Sequence, residues 1–242
     1  MSTLARGSTA LRNWALPSDG TVELSRLEAR LPPLLSVIAG MVDLTGFLTL
    51  GNIFTAHITG NLVVAAAAAV HGGRFNLAQA LAIPVFMLAL AVVWLIAEAS
   101  HRRGPSLARL LLLVQFLLLA VLLIFSIFAK PSGSPHGLMA AIAVMIAVSA
   151  MACQYALLRL AIPDAISTAV MTGNLTNTVL SLMDLSSRHP LLPVDAGRLR
   201  RSLYLLFGFL LGCVVGTAAV SLLADWAWSL PAALAAVAIT VR

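Results

Sequence analysis

Two short stretches carry the polar chemistry of an otherwise apolar chain: AHITGN at residues 56–61 and AVMTGN at 169–174. Each sets a hydroxyl, a bare glycine and an amide inside a hydrophobic run. Threonine and asparagine side chains both donate and accept hydrogen bonds, and glycine lets another backbone come close. Such a set binds a polar solute or ion, or it joins helices. If both stretches are helical, Thr55, Thr59 and Leu62 share one face, and Thr168, Thr172 and Leu175 repeat it. Gly60 with Asn61, and Gly173 with Asn174, then sit beside those faces. The packing reading is the plain alternative, since small and hydroxyl residues join membrane helices at about 0.6 kcal/mol per hydrogen bond.

Three further residues add titratable or amide groups. Asp43 lies in AGMVDLTGFLTL, well inside the first apolar run. A carboxylate at that depth costs some 2.5–3.5 kcal/mol on insertion scales, and by default it marks an ion or proton path. The structural alternative is a pair with His57 or Arg159. His57 precedes the first Thr-Gly-Asn and is a candidate partner or titrating group. Gln154 and Tyr155 open the corresponding polar patch of the second half, and Arg159 closes it. Glu98, beside His101 and Arg102, reads as half of an interfacial ion pair. Cys153 and Cys213 lie within apolar runs, where a thiol acts as a small hydrophobe. Neither a Ser-His-Asp spacing, a metal cluster nor a phosphate loop is present, so no cofactor or metal is expected and an enzyme is the least favoured class.

The elements that must position these residues follow from composition. The chain has 242 residues, 60% of them apolar, with 15 basic and 9 acidic side chains. Leu77–Ala97, Leu110–Ala129, Gly137–Leu158 and Leu203–Ala224 are long uncharged stretches. About 20 residues at 1.5 Å each cross a hydrocarbon core of roughly 30 Å. Helices apolar on all sides do not suit a water-soluble core. The expected fold is an all-α integral membrane protein whose partner is the lipid bilayer. A net charge of +6 raises the question of nucleic acid. The arginines, however, lie in the tail and short loops, as the positive-inside rule arranges them, and no aromatic-basic patch accompanies them. Residues 1–31 form a polar basic tail with no apolar stretch long enough for a secretory signal; within it 21–30 could make a short surface helix.

Eight apolar segments follow: Leu34–Leu50, Ile53–Val70, Leu77–Ser100, Leu107–Ala129, Leu138–Leu160, Ala165–Met183, Leu199–Ala224 and Trp226–Val241. Trp226 and Trp228 suit an interfacial belt. A shift of 113 residues lays Thr59-Gly60-Asn61-Leu62 on Thr172-Gly173-Asn174-Leu175, and Thr55 on Thr168. It also lays the break LGN at 50–52 on PDA at 163–165, and Asp43 on Ala156. The chain therefore reads as two repeats of about four helical segments, residues 32–129 and 137–242, joined by KPSGSPHG within one transmembrane domain. If the two motif segments dip in and return, six spans remain and the repeats are inverted; 13 Lys and Arg then lie on the N-terminal side and 2 opposite. With eight spans the split is 11 to 4. Six full spans plus two short motif helices is the preferred arrangement, with the N-terminus cytoplasmic, and eight spans is the alternative.

GMVDLTGFLTLGNIFTAHITGN at 40–61, followed by MACQYALLRL at 151–160 and STAVMTGN at 167–174, resembles the YoaK-like bacterial membrane proteins, grouped as a domain of unknown function. The resemblance spans roughly residues 32–240 and implies a six-span protein of the bacterial inner membrane. In the second motif Cys153 and Tyr155 stand where the family pattern has Gly and Asn. The resemblance supplies no substrate, cofactor or catalytic residue. Together these features point to a small permease for an unknown small molecule or ion, with a channel or a membrane scaffold as rivals. A homodimer would suit so small a bundle.

Overall fold

The computed structural model describes residues 18–70, 77–168, 170–187 and 196–241. The tail before Ser18, Arg74 and the basic loop at Arg188 lie outside them. The described residues form helices joined by short turns, with no strand among them. In chain order the helices are α1 (Ser18–Thr49), α2 (Gly60–Val70), α3 (Leu77–Ala99), α4 (Gly104–Ala129), α5 (Leu138–Ala161), α6 (Met171–Ser186), α7 (Ala196–Leu223) and α8 (Ser229–Thr240). Five stretches are long and apolar enough to cross a membrane; the fifth, Ala196–Thr240, contains both α7 and α8.

The first helix departs from expectation. A tail ending near residue 31 is not marked by any break, because α1 starts at Ser18 and runs through Pro32 and Pro33. Its apolar stripe explains this. Leu27, Leu31, Leu35, Ile38 and Val42 are all buried, and this 3–4 residue period begins before the prolines. Two prolines in an interior turn each remove a backbone donor; the packed stripe outweighs that loss.

Direction follows from close approaches. Gly208, Gly212 and Gly216 of α7 lie against Pro33, Val37 and Met41 of α1, in the same order, so the two helices run parallel. A methyl on Gly212 would overlap the Val37 carbonyl oxygen, and one on Gly40 the Phe209 carbonyl oxygen. Only glycine permits so short an axis separation. The C-terminal halves of α3 and α5 share one groove, so these two helices are also parallel. α5 lies antiparallel to α1: Gln154 reaches Leu35 O, whereas Ile166, beyond the end of α5, lines a hollow with Glu28 and Pro33 in the N-terminal half of α1. Exchanging α1–α4 for α5–α8 carries the main helix pairs onto one another: α1–α7 onto α3–α5, α2–α3 onto α6–α7, and α4–α5 onto α1–α8.

α7 stops where Ala224 takes a left-handed backbone, φ 50°. A 3₁₀ turn over Ala224–Trp228 then leads into α8. Ser132, in the loop joining the halves, donates its hydroxyl to Asp225 Oδ2 at 2.8 Å and ties this turn to the end of α4. Trp226 is 57% exposed and suits a belt, but Trp228 is 1% exposed and belongs to the core, so only the first of the pair fits the interfacial reading.

Candidate functional site

α1 ends in two left-handed residues, Gly51 (φ 82°) and Asn52 (φ 59°). The amides of Leu50 and Asn52 close the last turn on Gly46 O (2.9 Å) and Phe47 O (3.1 Å). The chain then turns back along α1 without forming helix. Residues 50–59 are extended or turn-like, and α2 starts only at Gly60. This corrects the helical face expected for Thr55, Thr59 and Leu62. Thr55 precedes the helix and is fully buried, whereas Thr59 is exposed at its start.

Asp43 holds the returning strand of chain. Its Oδ1 accepts the backbone N–H groups of Thr55 at 2.7 Å, Ala56 at 2.8 Å and His57 at 3.4 Å. Its Oδ2 lies 2.7 Å from His57 Nδ1. Successive amides converging on one carboxylate form a backbone anion nest, and each bond is charge-assisted. Thr55 adds a bond from Oγ1 to Val42 O at 3.1 Å. Gly46 leaves room for this approach: a methyl there would lie 2.8 Å from Thr55 Cγ2. Asp43 is thus buried and paired, as an intramembrane acid must be. Its partner is His57 and not Arg159, which is exposed on the last turn of α5. The His57 side chain is 33% exposed and meets the Phe209 ring edge-on, with centroids 5.0 Å apart.

Asn61 closes the loop from below. Phe54 N–H donates to Asn61 Oδ1 at 2.9 Å, and Asn61 Nδ2 donates to Phe54 O at 2.7 Å. The amide therefore satisfies both backbone groups of an unwound residue, which apolar surroundings leave without water. A side chain on Gly60 would press the Phe54 ring at 3.0 Å.

The second half repeats the frame with different chemistry. α5 ends at Ala161, and α6 begins only at Met171, so Thr168 and Thr172 do not share a helical face either. Asn174 Nδ2 donates to Ser167 O at 3.0 Å, seven residues back, as Asn61 does to Phe54. Thr168 and Asn174 are buried, while Thr172 is exposed and Gly173 lies against Val170. Where the first half uses a carboxylate, the second uses an amide two positions earlier in the 113-residue register. Gln154 Nε2 donates to Thr168 Oγ1 at 3.3 Å and to Leu35 O at 3.0 Å, and its Oε1 accepts Gln115 Nε2 at 2.7 Å. The neighbouring Tyr155 donates its hydroxyl to Ala56 O at 2.9 Å. Consecutive residues of α5 thereby hold both breaks, Tyr155 the first and Gln154 the second.

The structure gathers Asp43, Thr55, His57 and Asn61 into one network, and Gln154, Thr168 and Asn174 into another, with α5 between them. Thr59, Gly60, Thr172 and Gly173 start the short helices instead, and α2 and α6 pack on different partners, α3 and α7. Gln115, Gly46 and Phe54 were not singled out from sequence. A lone glutamine in LLLLVQFLLL at 110–119 is the signal that marks the first. Glu98 makes no ion pair with His101 or Arg102 among the described residues; it faces a hollow shared with Arg103.

A bundle of apolar helices, interrupted by non-helical backbone that is largely buried at 50–59 and partly exposed at 162–168, defines a membrane-embedded all-helical protein. The chain belongs to the family described as Protein of unknown function (DUF1275), whose model matches residues 31–241. No curated protein and no solved structure matches it.

Proposed function

We propose that this chain is a small permease of the bacterial inner membrane, related to the YoaK-like proteins, with its polar site at the two breaks. One observation carries the reading: unwound backbone at matching positions of two halves, largely buried in the first and partly exposed in the second, each followed by a short helix that starts at its Thr-Gly-Asn. Irregular backbone at membrane depth persists only where protein or a cavity satisfies it. Paired interruptions of this kind mark substrate or ion sites in inverted-repeat transporters. In this reading α1, α3, α4, α5, α7 and α8 span, the two breaks are re-entrant, and the halves are inverted. The end of α1 and the start of α3 then lie on one side, which the bond from Gln79 Nε2 to Asn52 O (3.4 Å) supports. Asp43 and His57 form the acid–imidazole element of the site, and Gln154 its amide counterpart.

The rival reading is a membrane scaffold. The saturation of Asp43 by donors of its own chain favours it, since a fully bonded carboxylate has less to offer a cargo. The test is a melting-shift screen of the purified protein against ions and metabolites, followed by flux into liposomes with each stabilising compound. A permease gives at least one compound that stabilises and crosses, and Asp43→Asn abolishes its flux while keeping the fold. Stabilisation or assembly effects with no flux for any compound would leave the scaffold.

A further inference from the structure

We infer that the groove between α3 and α5 is a binding site for an anionic phospholipid drawn from the surrounding bilayer. The groove is an open trough of about 480 Å³, within the roughly 300–1,000 Å³ of ligand sites. Its long wall is apolar, with Leu90, Ala91 and Trp94 from α3 facing Ala156 and Leu160 from α5. One end is polar, where Arg159 and Ser167 line it. An apolar trough ending at a cation is complementary to an acyl chain ending in a phosphate.

Three observations fix the charge of the occupant. Arg159 is exposed and has no ion-pair partner among the described residues. A second hollow of about 290 Å³ continues the groove past Trp94 and Leu160 and is lined by Arg103 at the start of α4. Its single acidic lining residue is Glu98, which forms no ion pair there, so the combined lining carries two cations against one anion. Arg102 stands next to Arg103 and accepts its Nη1 at the Arg102 carbonyl, 2.7 Å away. Arginine pairs with phosphate through a planar fork of donors, and basic pockets between membrane helices hold acidic headgroups. Trp94, 51% exposed, is the amphipathic ring that headgroup depth favours.

The position gives the lipid a structural consequence. Tyr155 and Ser167 line the same groove; Tyr155 bonds to the first break, and Ser167 lies within the second. A seated lipid braces the face on which both breaks are held. The inference stands on the groove alone and does not require transport.

The test uses the full-length protein purified in a maltoside detergent. Dioleoyl phosphatidylglycerol, dioleoyl phosphatidylcholine and glycerol 1-phosphate are each titrated, with melting temperature and lipids retained in native mass spectra as readouts. The expected result is a rise of several degrees and at least tenfold tighter retention with phosphatidylglycerol than with phosphatidylcholine. Glycerol 1-phosphate should do nothing. Arg159→Gln should lose that preference, Arg159→Lys should keep most of it, and Ala91→Trp should abolish retention of both lipids by filling the trough. Equal effects of the two lipids, or an unchanged preference in Arg159→Gln, would overturn the proposal. If Arg159→Gln does not fold, full preference surviving in Ala91→Trp overturns it equally. Stabilisation by glycerol 1-phosphate alone would make this a free-phosphate site, and conversion of a dimer to a monomer by Ala91→Trp would make it an interface between copies. Either result removes the lipid assignment and leaves the permease reading untouched.

Discussion

Asp43 is the residue on which the first break depends, and its two oxygens divide the work. One gathers three backbone amides, and the other meets an imidazole. Asp43→Ala strips the acceptor from buried N–H groups of Thr55 and Ala56, each of which costs about 1–3 kcal/mol when left unpaired. The loss should reach about 2–6 kcal/mol, the sum for the two stranded amides. Asp43→Asn keeps an oxygen for the amides, and its NH₂ can face a neutral His57 Nδ1, so a loss of about 1–2 kcal/mol is expected. His57 is partly exposed, so the amide variant does not strand a deeply buried cation. Denaturation of the purified variants in mixed detergent micelles measures both values. Equal stability of the alanine variant and the wild type would mean that Asp43 does not anchor the returning chain.

Among the helices, the α1–α7 contact is close because glycines line it, and Ser36 adds a bond from its hydroxyl to the Leu205 carbonyl at 2.6 Å. Gly212→Ala must push the α7 axis off α1, because the new methyl meets backbone at the Val37 carbonyl and the Met41 amide and not a side chain that can swing away. Overpacking of this kind costs about 1–3 kcal/mol. Gly133→Ala is the control: nothing lies within 4 Å of the added methyl, and its effect should stay within about 0.5 kcal/mol. Melting temperatures that fall equally for both would show that the glycine row is not a tight seam. This row, every fourth residue from Gly208 to Gly216, is plain in the sequence once the partner helix is known, yet spacing alone does not name the partner. The same limit applies to the breaks. The matched polar breaks at 50–52 and 163–165 were visible as interruptions of apolar runs, and Asp43 with His57 was open to reading as a pair. The unwinding was hidden, because Ile53–Val70 is apolar enough to pass for a continuous helix. What ends α1 is local, a glycine and an asparagine in left-handed backbone, but what keeps residues 53–57 from resuming a helix is Asp43, ten or more positions upstream. That is a tertiary effect, and periodicity does not carry it. The helix expected at 21–30 is present but continuous with α1, because the leucine stripe that begins at Leu27 runs on through Pro32-Pro33.

For the molecule as a whole, the order of helices along the membrane normal separates the two topologies. α1 and α7 are parallel under either count, so they decide nothing. α5 does decide, because inverted halves require it antiparallel to α1 and parallel halves require the reverse. The neighbourhood of Glu28 and Pro33 with Ile166, beyond the C-terminal end of α5, favours inversion. So does the shared groove of α3 and α5, given that α3 starts beside the end of α1. With the N-terminus inside, inversion places His101, Arg102 and Arg103 in the cytoplasm and the joint at Ser134 outside, in keeping with the positive-inside rule. Single cysteines at His101 and Ser134, in a Cys153→Ala, Cys213→Ala background, read this directly. Both target positions are exposed, so neither substitution disturbs the core. A membrane-impermeant maleimide added to bacterial spheroplasts should label Ser134→Cys and spare His101→Cys until the membrane is opened. The opposite pattern means eight spans and parallel halves. In that case residues 50–59 would be a kink within a crossing segment and no longer a re-entrant loop, and the match of the two breaks to the paired sites of inverted transporters would fail.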